Sequence, residues 1–379
     1  MQVKFRLIAL AATFAVAGVA SAQEMVVKIG HVAPISGPQA HLGKDNENGA
    51  RMAIDDLNAK GMTIGGKKVK FELVAEDDGA DPKQGTAVAN KLVDAKVNGV
   101  IGHLNSGTSI PASKIYSDAG IPQISPSATN PKLTRQGFKT VFRVVADDTQ
   151  LGGTLGRYAV KEVKGKSVAV IDDRTAYGQG VAEEFAKAVK ASGGKIEDTQ
   201  YTTDKATDFT AILTAVKAKN PDVVFYGGMD AQAGPMVRQM KQLGMNAKLM
   251  GGDGICSAEL PKLAGGAIGE NQVICAEAGG VEGSQKAGME KFKADFQKKF
   301  GTPVQIYAPY VYDAVMVMAT AMQKAGSADP KVYLPFLHKT DYNGVTGHIA
   351  FDEKGDIKNG ALTLYTYKGD KREQIAVVR

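Results

Sequence analysis

Three segments concentrate the residue types able to grip a small polar ligand. IGHLNSGTSIPAS and IPQISPSATNPKL each place small hydroxyl residues directly after a short apolar run that reads as a buried strand. A helix N-terminus at such a point offers free backbone N–H groups, and nearby hydroxyls complete a carboxylate site. The same residue types also serve as plain helix caps, with Ser106 or Ser109 capping a helix that opens at Pro111. A third segment, LMGGDGICS, sets Asp253 in a glycine-rich strand-to-helix loop, where it is either a cap or the counter-charge of a ligand ammonium.

Other chemistries lack their residues. The loop APISGPQAHLGK carries glycine but no G-x-G-x-x-G, and Walker A, G-x-S-x-G, H-E-x-x-H and Cys-x-x-Cys patterns are absent. The five histidines, His31, His41, His103, His338 and His348, are dispersed singly. No nucleophile, base and orienter can be named, so neither an enzyme nor a cofactor is expected. The acidic run Asp77-Asp78-Gly79-Ala80-Asp81 lacks the spacing and terminal Glu of an EF-hand loop and reads as a turn from strand into helix. The only cysteines are Cys256 and Cys275, a disulfide pair in an oxidising compartment or two buried thiols. Neither has His, Asp or Glu at metal-ligand spacing.

The chain opens with Lys4 and Arg6, an apolar run from Leu7 to Val19 and the triplet Ala20-Ser21-Ala22, the pattern of a secretory signal peptide cleaved after Ala22. That run is too short to span a bilayer. Cleavage removes two cations and no acid, so the net charge falls from +6 to +4. The lysines are scattered at helix-surface spacing without interleaved aromatics, which argues against nucleic acid as a partner. A mature chain of 357 residues, out of 379, exceeds what one core fills and predicts two domains.

The elements that must position these loops alternate β-branched runs with 3.6-period segments, the mark of βαβ units and a mostly parallel sheet. Strands are expected at 26–32, 69–75, 99–101, 123–124, 141–143, 167–171, 195–201, 223–226, 248–250 and 272–275, and later at 348–351 and 362–367. Ala50, Ala53, Ile54 and Leu57 stripe one helix face over about 42–60, and Asp81-Pro82 reads as N-cap and N1 of another. Further helices are expected near 284–300, 307–325 and 330–339. Two such α/β sets follow one another, divided near residue 147, with no flexible linker between them.

The runs EDDGADPKQGTAVANKLVD, GVIGHLNSGTSIPASKIYSDAGIPQISPSATNPKLT, RTAYGQG, FYGGMD, LMGGDG and FDEKGDIK together resemble the periplasmic leucine/isoleucine/valine-binding protein family of ABC importers. The resemblance covers nearly the whole mature chain. It implies a type I periplasmic-binding fold: two doubly wound α/β lobes joined by three hinge crossings near 147, 277 and 362. One lobe then comprises 23–147 with 278–361, the other 148–277 with 362–379. It also implies a periplasmic monomer that closes on a small amino acid, without catalysis, and delivers it to a membrane permease. By position, Ser106 and Thr129 would hold the ligand carboxylate. The Ser127 carbonyl, Thr129 hydroxyl and Asp253 carboxylate would take the three ammonium protons. Tyr177 and Tyr307 would cover the ligand, with Leu42, Asn105 and Met229 meeting its side chain.

The chain departs from the family where members carry paired cysteines, at the positions of Ala80 and Asn105. Met229 stands in place of an aromatic residue, and Asp253 in place of a glutamate. These changes keep other ligands open: an amide, a short-chain or aromatic acid, or a γ-amino acid. A sensor module is a further alternative on the same fold. Cys256 and Cys275 would supply a replacement disulfide, in the second lobe.

Overall fold

The computed structural model describes residues 24–283 and 285–378; the expected signal peptide, 1–22, lies outside them. The first sheet is built from β1 (Met25–Ala33), β2 (Thr63–Ile64), β3 (Lys67–Asp77), β4 (Gly99–Gly102), β5 (Gln123–Ser125) and β6 (Val141–Arg143), in the order β2-β3-β1-β4-β5-β6. All its pairs are parallel except β2 with β3. Between the strands run α1 (Ala40–Lys60), α2 (Pro82–Asp94) and α3 (Ser106–Asp118).

The chain then enters a second sheet. Its strands are β7 (Ser167–Asp172), β8 (Lys195–Tyr201), β9 (Val223–Gly227), β10 (Lys248–Gly251) and β11 (Val273–Glu277), interleaved with α4 (Asp148–Lys161), α5 (Ala176–Ala191), α6 (Thr210–Ala218), α7 (Asp230–Gln242) and α8 (Leu260–Leu263). After β11 come α9 (Gln285–Phe300), α10 (Ala308–Ala325) and α11 (Pro330–Leu337), then the hairpin of β12 (Tyr342–Gly344) and β13 (Gly347–Ile349). Finally β14 (Leu362–Lys368) and β15 (Lys371–Val378) extend the second sheet, giving β15-β14-β11-β10-β9-β7-β8.

Strand order explains where a ligand belongs. Leaving aside the two-residue edge strand β2, in each sheet the first strand, β1 or β7, lies between the next two in chain order, β3 and β4 or β8 and β9. The connections leaving the first and third strands diverge there and open a crevice at the carboxyl ends. Val32 faces Gly102 across β1 and β4, while Asp172 faces Gly227 and Gly251 faces Tyr226 in the second sheet. The loops beyond these residues therefore leave side by side.

Both faces of the sheets are covered, which accounts for the continuous apolar runs in their strands. On β1, Val27 and Ile29 pack in the core that holds Ala50, Leu57 and Val311, whereas Val32 packs with Val88, Leu92 and Tyr116 on the opposite face. Fully burying each such aliphatic side chain is worth about 1.5–3 kcal/mol, so Leu57→Asp should unseat α1. That helix stops at Gly61, whose left-handed φ of 64° suits a residue without Cβ. Asp81 caps α2 by accepting from Lys83 and Gln84 N–H at 2.9 Å each, with Pro82 at the first helical position.

One helix differs from expectation: α3 starts at Ser106, not Pro111, and Pro111 lies inside it. Only one backbone hydrogen bond is lost there, and the helix continues. The strand expected at 348–351 is shorter, with Phe351 making an isolated bridge to Ile357. No strand was expected over β15. Its pattern is mixed, and pairing with β14 holds it in place. No helix among the described residues is long and apolar enough to cross a membrane.

Candidate functional site

The loops after β4, β5, β7, β9 and β10 meet between the lobes. Asn105 is the N-cap of α3, its backbone extended, and Ser106 is the first helical residue, so the opening N–H groups of α3 have no acceptor within the helix. Ser106 Oγ accepts from the Asn130 N–H at 3.2 Å, joining the two hydroxyl-bearing loops. Ser127 donates its hydroxyl to the Leu104 carbonyl at 3.0 Å. Thr129 accepts the Asp148 N–H through its carbonyl at 2.8 Å, and its buried hydroxyl faces the Asp148 carboxyl.

Arg143, fully buried in β6, props this loop. Its guanidinium donates to the carbonyls of Ala128 (3.1 Å) and Asn130 (2.9 Å) and pairs with Asp356. Asp356 belongs to the FDEKGDIK run, whose Gly355 (φ 93°) lies so near the Val141 carbonyl that a Cβ would sit 2.1 Å from it.

The second lobe contributes acids and phenols. Thr175 caps α5 by accepting the Gly178 N–H at 3.0 Å, which sets Tyr177 in the first turn. The Tyr177 hydroxyl donates to Asp253 Oδ1 at 2.8 Å and accepts the Gly254 N–H at 2.9 Å. Tyr307 reaches the other carboxylate oxygen from the α10 side at 3.0 Å. Its approach is fixed by Asp45 of α1, whose carboxylate accepts the N–H groups of Gln305, Ile306, Tyr307 and Ala308 at 2.8–3.3 Å. Asp253 is thus held by hydroxyls from both sides of the cleft. Burial nevertheless pushes its carboxyl up to about 6, the two tyrosine hydroxyls opposing the rise. Burial also holds Asp148 well above the usual carboxylate range, with the Thr129 side chain opposing the rise and the Asp253 charge adding to it.

Behind Asp253 the structure joins Cys256 to Cys275 as a disulfide, with Cα atoms 5.4 Å apart. Arg372 of β15 donates to the Cys256 carbonyl and pairs with Glu277 at 2.9 Å, so this loop is fastened from two sides.

Leu42, Tyr177, Met229 and Tyr307 belong to one contiguous buried apolar cluster. Met229 is the N-cap of α7, its sulfur facing Gly254. Asn105 donates to Gln39 Oε1 at 2.8 Å, and its side-chain Oδ1 is buried with no partner among the described residues. Of the residues expected to form a site, Tyr177, Asp253 and Tyr307 touch directly, Ser106 and Thr129 are linked through Asn130, and Asn105 stands beside Ser106. Arg143, Asp45, Asp148 and Asn130 escaped the reading of the sequence. The Arg143–Asp356 pair had one signal, the FDEKGDIK run itself, whose purpose only appears across 213 residues.

Among the described residues, no group of three or more His, Cys, Asp or Glu is arranged to hold a metal ion. Asp78, in the acidic run, instead binds the buried His103 at 2.9 Å, and Asp77 accepts the N–H groups of Ile35 and Gly79.

Two lobes, each with its crevice at the strand ends and facing each other across three crossings, define a type I periplasmic-binding fold. Residues 26–372 match the periplasmic binding protein family, and the chain belongs to it. It is 36% identical over 367 residues to the leucine-, isoleucine-, valine-, threonine- and alanine-binding protein of Pseudomonas aeruginosa, covering 96% of each chain. It is 39% identical to a Leu/Ile/Val-binding protein homolog of Brucella abortus, covering 95% of each. Among solved structures, a branched-chain amino acid transporter substrate-binding protein from Streptococcus pneumoniae, in complex with isoleucine, superposes with a TM-score of 0.84 at 28% identity. It covers 93% of this chain and 99% of that one.

Proposed function

We propose that the chain is exported to the periplasm, cleaved after Ala22, and captures leucine, isoleucine or valine for the permease of an ABC importer. On this reading one lobe comprises 23–147 with 278–361 and the other 148–277 with 362–379, and the protein acts as a monomer that makes and breaks no covalent bond. The ligand carboxylate meets the opening N–H groups of α3, the Ser106 hydroxyl and Thr129. The ammonium gives its three protons to the Ser127 carbonyl, the Thr129 hydroxyl and Asp253, which matches its donor count. Leu42, Asn105 and Met229 receive the side chain, and closure brings Tyr177 and Tyr307 over it.

The observation that carries this reading is Asp253: a carboxylate 1% exposed, gripped by hydroxyls from both sides of the cleft and paired with no cation among the described residues. A buried charge of this kind calls for a partner, and a ligand ammonium is one. The names of the relatives point to the same ligands.

The test is calorimetry and thermal shift on mature protein with leucine, isoleucine and valine, beside 4-methylpentanoate, which is leucine without its ammonium. Leucine at a hundred times its Kd should add about 2.7 kcal/mol of stability. Asp253→Asn should weaken leucine by about 2–5 kcal/mol and leave the acid little affected. Equal binding of leucine and 4-methylpentanoate would refute the ammonium assignment.

A further inference from the structure

Beyond the groups assigned to the ligand, a pair of ionisable side chains joins the lobes directly, in addition to the Asn130 amide that donates to the Ala176 carbonyl at 2.6 Å. His41, in the first turn of α1, meets Asp230, the first residue of α7, with Nε2 to Oδ2 at 2.7 Å across 189 positions of sequence. Asp230 is fully buried and the His41 side chain 23% exposed. Ser257 donates its hydroxyl to the same Asp230 oxygen, and the other oxygen has no partner among the described residues. A carboxylate at a helix start is also favoured by the helix dipole.

We infer that His41 and Asp230 form a latch between the lobes, a pair made only on closure, which strengthens capture without touching the ligand. They are positioning residues, and the inference rests on the hinge-closure reading above. The surroundings suit it. Asp230 from α7, Glu259 from the segment before α8 and Asp45 from α1 itself face His41. Tyr226 of β9, Tyr307 before α10 and Tyr367 of β14 face Asp230. These neighbours are acids and phenols, so protonated His41 supplies the cation. Burial alone would lower its pKa, but the Asp230 hydrogen bond and charge outweigh burial, and the net direction is upward.

Opening the lobes returns His41 to water and to its ordinary value, so closure takes up protons around neutral pH and ligand affinity rises as pH falls from 8.5 toward 6.5. An Asn at 230 or a Gln at 41 removes the charge pair and keeps a polar side chain of similar size.

The experiment is leucine calorimetry from pH 6.5 to 8.5, in buffers of different ionisation enthalpy, on the mature wild type, His41→Gln and Asp230→Asn. Wild type should take up a fraction of a proton per leucine at pH 7 and bind about tenfold more tightly at pH 6.5 than at 8.5, whereas both variants should lose most of the uptake and the slope. Identical uptake and slope in wild type and His41→Gln would overturn the latch. Should leucine fail to bind at all, the ligand assignment falls but the latch is still testable. Dyes placed at the exposed positions of Lys83→Cys and Lys205→Cys report the closed fraction of unliganded protein by energy transfer. A larger closed fraction at pH 6.5 than at 8.5, absent in His41→Gln, supports the latch, and the same fraction in both refutes it.

Discussion

The two lobes equip their halves of the cleft differently. The first offers neutral dipoles: the opening N–H groups of α3, the hydroxyls of Ser106 and Thr129, and the carbonyl of Ser127, with the Ser127–Thr129 loop steadied by Arg143 through the carbonyls of Ala128 and Asn130. The second offers carboxylates and phenols, Asp253 with Tyr177 and, nearby, Asp148 and Asp230, all deeply buried. Dipoles can meet a ligand in an open, wet cleft at little cost. Desolvated charge is costly until its partner arrives. On the proposed function, the first lobe receives the ligand and the second commits only once an ammonium is there to balance Asp253.

The largest expected effect probes the first half. Arg143→Met leaves Asp356 without its partner and frees the carbonyls of Ala128 and Asn130, and should cost about 3–5 kcal/mol in chemical denaturation. A loss below about 1 kcal/mol would mean that the loop holds itself. On the second half, replacing Cys256 and Cys275 together by Ser opens a loop of 19 residues and should cost about 3 kcal/mol. Because Asp253 lies in the turn that leads into Cys256, leucine affinity should fall as well, an effect that loss of stability at a remote site would not produce.

Smaller again is the pH dependence of unliganded stability, to which the buried acids of the second half contribute most directly at the cleft. Asp173 and Asp253 rise to about 6 against a usual 3.8, and Asp148 is held well above its usual range, each through burial. A raised carboxyl binds its proton more tightly in the folded chain, so its ionised form costs stability above pH 6, and that cost fades as the pH falls through 6 toward 4. Asp313, on the first-lobe helix α10, acts likewise. His31 and His338, lowered by burial, oppose the trend below their ordinary value of 6.5. The melting temperature should therefore rise from pH 7.5 to 5.5, and Asp253→Asn should flatten part of that rise. An unchanged slope would show that Asp253 is not the costly charge it is taken to be here.

Much of the architecture was legible in the residues. The alternation of β-branched runs with amphipathic stretches, the stripe from Ala50 to Leu57 and the Asp81-Pro82 start are local signals, and local hydrogen bonding and burial enforce them. The start of α3 was misplaced because Pro111 suits a first helical position, yet a helix already under way tolerates it when both flanks pack. The edge strand β15 carried no clear alternation to read.

Within the site, the hydroxyl loops and Asp253 could be singled out because strand-to-helix loops announce themselves in glycine, serine and threonine. The supports could not. Arg143 finds Asp356, Asp45 finds the approach to Tyr307, and Arg372 finds Cys256 and Glu277 across separations of 95 to 263 residues. No local pattern encodes such pairs. Sequence alone determined the order of elements and the loops that bear polar groups, since both depend on neighbours along the chain. Only the tertiary structure decided which carboxylates lie buried, which hydroxyls meet them and which charges face each other across the lobes, because desolvation and pairing depend on what packs alongside in space.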